Sequence, residues 1–88
     1  MEKILWARKR LRLYLSLSRP AESNDILAYA QLSALNEDHP SATTSGDLAL
    51  LKACQEIYEN NAAEVVKEKN IAKLRLSEGL NTTASLAL

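Results

Sequence analysis

From Asp47 to Glu78 the chain runs for 32 residues without a glycine or a proline, between Gly46 and Gly79. A stretch that long with neither breaker constrains the fold more than any other feature. It opens Thr44-Ser45-Gly46-Asp47, a capping-box pattern with Asp at the position usually held by Glu or Gln. Leu51, Tyr58, Ala62, Val65, Lys69, Ala72 and Leu76 then recur at spacings that place them on one helical face, with Cys54 beside them. Gly79 stands where a glycine C-cap is expected. At 1.5 Å per residue one continuous helix here would be roughly 50 Å long. A compact domain of 88 residues is only about 30 Å across. Such a helix must therefore break and fold back, or offer its free end to another chain. The spacing favours one continuous helix. If it breaks, Lys67-Glu68-Lys69-Asn70 is the first place, because Lys69 interrupts the apolar stripe and Ile71 and Leu74 emerge off it. Asn60-Asn61 is the second.

The N-terminal segment fits two templates. Arg10 to Ser18 puts leucine at every second position, which is strand alternation. As a helix, Ile4, Ala7, Leu11, Tyr14, Leu15 and Ser18 share one face, widened by Trp6, Leu13 and Leu17 and opposed by Arg8, Lys9, Arg12 and Ser16. With Ile4 as the only β-branched residue before Pro20, the composition selects the helix. The alternative is a two-stranded ribbon that pairs residues 10–18 with 73–77. Arg19-Pro20 ends the segment. Ser23, Asn24 or Asp25 is expected to cap a second helix, which is apolar on most sides and so expected to be buried. Asn36 is expected to end it, and Glu37 to Ser45 reads as a polar loop.

The fold expected is therefore all-α, a single domain over 1–88. Its three or four helices fall near 3–17, 24–35 and 46–66, with 67–79 either continuing the third or forming a fourth. Residues 1–19 form a basic segment and 80–88 a C-terminal tail. Two glycines, two prolines and no phenylalanine in the whole chain agree with that class.

Charge is balanced overall but unevenly placed. Residues 1–20 carry Lys3, Arg8, Lys9, Arg10, Arg12 and Arg19 against Glu2, a net +5. Residues 21–66 carry a net −7 and residues 67–88 a net +2. Basic ends around an acidic middle can attract each other within one chain or between chains. No stretch is long and apolar enough to span a bilayer. The arginines threaded through the N-terminal leucines argue against a secretory signal, so an intracellular, cytoplasmic setting is expected, with organelle targeting by the N-terminus as the rival.

Chemistry-bearing clusters are sparse. Glu37-Asp38-His39 groups two carboxylates with the only imidazole, but a metal site needs three or four converging ligands, and a solvated turn is the simpler reading. The single cysteine, Cys54, sits in an apolar helical pattern and reads as a small core residue. No phosphate loop or zinc spacing is present. The expectation is a non-enzymatic protein with no cofactor, no metal and no small-molecule substrate. Its leading function is assembly or protein–protein interaction, with a protein partner or further copies of itself. The contact surface is expected on the long helix, at Leu51, Tyr58, Val65, Ile71, Leu74 and Leu76. The alternative rests on the basic arm, Lys3, Arg8, Lys9, Arg10 and Arg12, which could bind nucleic-acid phosphates or an anionic membrane surface. The run DLALLKACQEIYEN, Asp47 to Asn60, is loosely similar to a helix in the small helical head–tail connector proteins of tailed phages. That likeness implies only the class, a helical subunit of an assembly.

Overall fold

The computed structural model describes the backbone of residues 2–87 and the side chains of residues 3–78. Among the described residues the chain is all-α, with five helices: α1 (Glu2–Ser16), α2 (Ser23–Asp38), α3 (Ser45–Ala53), α4 (Gln55–Asn60) and α5 (Ala62–Ala87). A 3-10 turn, Pro40–Ala42, lies between α2 and α3. The ribbon alternative does not form, since residues 10–16 and 73–77 are both helical.

The fold is centred on α2. Ile26, Ala28, Tyr29, Ala30, Leu32, Ala34 and Leu35 are all buried, and they point around the whole circumference of the helix. α1 and α5 both pack along α2, and α3 and α4 contact it as well. The result is elongated, 48 × 25 × 17 Å. Leu11, Leu32, Leu35, Ile57 and Val65 are the largest apolar side chains that are fully enclosed, one or two from each of four helices. Burying a side chain of this size contributes about 1.5–3 kcal/mol.

The stretch expected as one long helix is three helices, broken at Cys54 and at Asn61. Cys54 is the first. Its backbone still accepts and donates helical-type bonds, Cys54 N–H to Leu50 O (2.9 Å) and Ile57 N–H to Cys54 O (2.9 Å), but it is the joint between α3 and α4. Asn61 is the second. Its side-chain Nδ2 donates to Ile57 O at 3.0 Å, closing α4, and its own carbonyl accepts from Val65 N–H at 2.9 Å, opening α5. An asparagine that bonds the backbone locally competes with helix continuation in this way. Of the two candidate breaks, Asn60-Asn61 forms and Lys67–Asn70 does not. Lys69 faces inward along the stripe, but its Nζ reaches Glu37 at the end of α2 (3.1 Å), so the charge finds a partner and the helix runs on. Gly79 does not end α5 either, because the helical backbone continues to Ala87. The tail assigned to 80–88 falls outside the described side chains.

The second helix is longer than expected at both ends. Ser23, Asn24 and Asp25 lie inside it, and Glu22 is the N-cap residue. Asp25 Oδ2 accepts from Glu22 N–H at 2.8 Å, satisfying one of the donors that helix starts leave free. At the other end Asn36 is passed. The helix stops only where His39 N–H bonds back to Leu35 O (2.8 Å) and Pro40 prevents another turn.

Candidate functional site

Two carboxylates organise the polar contacts. Asp47 completes the capping box of α3, accepting from Thr44 N–H at 3.1 Å while Asp47 N–H donates to Thr44 Oγ1 at 3.0 Å. The same carboxylate receives both arms of Arg8, Nε at 2.7 Å and Nη2 at 2.8 Å. Asp25, fully buried, holds two arginines, Arg10 Nε at 2.8 Å and Arg19 Nη1 at 2.7 Å. Each aspartate thus caps one helix and grips α1 or the turn after it. The Arg8 hydrogen bonds hold the Asp47 carboxyl below its usual value, more than offsetting burial. For Asp25, burial is the largest single influence and pushes upward. Arg19, the Glu22 N–H and Arg10 together outweigh it, and the net shift is downward.

This geometry divides the basic arm. Arg8 and Arg10 spend their guanidinium groups on carboxylates of the same chain. Lys3, Lys9 and Arg12 are exposed and make no ion pair among the described residues. Arg8 and Arg12 therefore differ in kind, although both were placed on one polar face.

The residues expected to meet a partner also divide. Val65 has no exposed surface and belongs to the core, and Leu51 is half-buried against it. Ile71 and Leu76 are half-buried. Tyr58 is exposed, with its ring tilted against Tyr29 at a centroid distance of 6.4 Å. Leu74 is 62% exposed, the most of any large apolar side chain described, and Val66, which was not singled out, is 40% exposed. Val66 and Leu74 are eight residues apart, which puts them within 80° of each other on α5, on the side turned away from Val65 and Ala72. Spacing alone put Leu74 off the main stripe, but Val66, beside the buried Val65, carries no such signal.

Glu37 and Asp38 are occupied by α5: Lys69 and Lys73 reach Glu37 at 3.1 and 3.5 Å, and Lys73 reaches Asp38 at 3.7 Å. No group of three His, Cys, Asp or Glu side chains converges among the described residues. Cys54 is fully buried with its Sγ 3.9 Å from Leu11 O. Burial first, and the Asp25 charge second, push its thiol up to about 11, so it stays protonated at neutral pH. An open cleft of about 520 Å³ lies between the α1–α2 turn and α4, lined by Tyr14, Arg19, Glu56 and Asn61 among others. Its one cation, Arg19, is already committed to Asp25. Gln31 Oε1 is buried without a hydrogen-bond partner.

No described helix is long and apolar enough to cross a membrane. Comparison of the chain with protein-family models, with curated proteins and with solved structures found no match.

Proposed function

We propose that this protein is a non-enzymatic assembly subunit that offers the outer side of α5 to a protein partner or to another copy of itself. The observation that carries this reading is Leu74, 62% exposed, with Val66 on the same free side. That side belongs to a helix of 26 residues, roughly 39 Å long, in a body only 25 and 17 Å in its shorter dimensions. The inner side of α5 is spent on α2 through Val65 and Ala72. What remains is a long rigid helix with large apolar residues in water, the arrangement that helix-in-groove and helix-on-helix contacts use.

Analytical ultracentrifugation tests it. The wild-type protein is expected to sediment as an oligomer, or to need a partner recovered from its native source to remain in solution. Val66→Glu with Leu74→Glu is expected to release a folded monomer. Val65→Asp belongs to a different class: it puts an unpaired carboxylate in the core and is expected to unfold the chain outright. A wild-type protein that stays a folded, soluble monomer at all concentrations, with no partner, overturns the reading.

A further inference from the structure

The face of α1 turned away from α2 is not used by the fold or by the assembly surface on α5. Leu5, Lys9 and Leu13 follow one another along it at four-residue intervals, with Trp6 on one flank and Arg12 on the other. Leu5 is 49%, Trp6 37% and Leu13 45% exposed. The charges on this face differ from those on the inner one. Arg8 and Arg10 turn to Asp47 and Asp25, and no described carboxylate pairs with Lys9 or Arg12, the two cations on this face. The free cations are thus interleaved with large apolar side chains and a tryptophan.

We infer that this outer face of α1 docks on an anionic lipid surface. Charge complementarity and side-chain type select that occupant. Lysine and arginine stems can lie along the apolar rings and chains while their heads reach lipid phosphates, and tryptophan favours the interface between headgroup and acyl chain. Phosphates of a nucleic acid would call for clustered cations without the leucines, and two of the five basic residues in the arm, Arg8 and Arg10, are already consumed inside the protein. The docking is peripheral: the helix lies in the surface, and the rest of the molecule stays in water.

Trp6 is the only tryptophan in the chain, so its emission reports on this face alone. The folded full-length protein is titrated at low salt with phosphatidylcholine vesicles and with phosphatidylcholine–phosphatidylserine vesicles. A blue shift of Trp6 emission and co-sedimentation are expected with the anionic vesicles and not with the neutral ones, and both should weaken as salt rises. Lys9→Gln with Arg12→Gln changes two exposed side chains that hold no described ion pair, so the fold, checked by circular dichroism, is expected to persist. Partitioning is expected to drop by roughly thirtyfold, about fivefold per cation removed. Three results would overturn the inference: no shift with anionic vesicles, a shift of equal size with neutral vesicles, or a duplex oligonucleotide bound at the same low salt while the vesicles leave Trp6 unchanged. The α5 variants Val66→Glu and Leu74→Glu leave this face intact and serve as the control that separates it from assembly.

Discussion

Asp25 and Asp47 each serve the helix they begin and the helix they hold. Asp47 is 2% exposed and Asp25 is fully enclosed, so each carboxylate depends on its partners to remain charged. Arg8→Ala removes two charge-assisted hydrogen bonds from Asp47 and is expected to lower stability by about 2 kcal/mol in denaturant unfolding. Arg12→Ala, on an exposed side chain, is expected to stay within about 0.5 kcal/mol of wild type. A loss of the same size from both variants would show that the clamp adds nothing beyond surface charge. The pH dependence has a definite sign. Asp25, Glu37 and Asp47 all have carboxyls held below their ordinary values of 3.8, 4.5 and 3.8. Their contribution is therefore complete above those ordinary values and is lost as the pH falls through the lower, folded-state ones. Stability should decline on the acid side, and the gap between wild type and Arg8→Ala should narrow there, because a protonated Asp47 no longer draws on Arg8. Thermal unfolding followed by circular dichroism at several pH values checks this; a gap that widens in acid would reverse the assignment. The Thr44–Asp47 cap was legible from spacing alone. The grip on Arg8 was not, because it joins residues 39 apart in the chain.

At the scale of single helices, the instructive case is α5. A lysine in an apolar stripe reads as an interruption, and Lys69 marked the first candidate break in a stretch whose spacing favoured one continuous helix. The structure satisfies it from another helix: Lys69 lies 3.1 Å from Glu37 Oε2, at the end of α2. Periodicity reports only what one helix does with its own side chains, so a charge neutralised across a helix–helix contact cannot be seen in it. Asn61 shows the converse. Its capacity to break a helix is local, and the sequence carried that signal, although more weakly than the false one. A double-mutant cycle on Lys69→Met and Glu37→Gln is expected to give a coupling of about 0.5–1 kcal/mol, since the side chains are only partly buried, at 18% and 44% exposure. Lys73 also reaches Glu37 and Asp38, so Lys69→Met leaves Glu37 paired with Lys73 while Glu37→Gln leaves Lys69 without its partner, and the coupling should fall toward the lower figure in high salt. A coupling of zero would mean that α5 crosses Lys69 on helix propensity alone.

For the whole molecule, the sequence drew attention to the long C-terminal stretch, whereas the structure is built on α2. The signal for α2 was present, because the helix expected near 24–35, apolar on most sides, has to be covered on most sides. What the sequence did not show was which elements do the covering. Two long helices pack along α2, and two short ones, of nine and six residues, contact it as well. That arrangement predicts an order of local stability. Amides of α2 sit among the most buried side chains, so exchange there should require global unfolding. α4 is a six-residue helix with a joint at each end, Cys54 and Asn61, and it contributes one buried side chain, Ile57. Helices that short are not stable by themselves, and opening this one exposes little apolar surface. Hydrogen exchange read by mass spectrometry or NMR should therefore find α2 slowest, the inner faces of α1 and α5 next, and α4 fastest among the helical amides between residues 3 and 78. Arg8→Ala should speed exchange in α1 and at the start of α3 while leaving the α2–α5 contact nearly unchanged, because the Arg8–Asp47 clamp joins only the first pair. If α5 proved slowest and α2 exchanged early, the long helix would be the stable unit and the rest would be assembled onto it. The inner side of α5, with Val65 and Ala72, would then be the face on which folding of the whole chain depends.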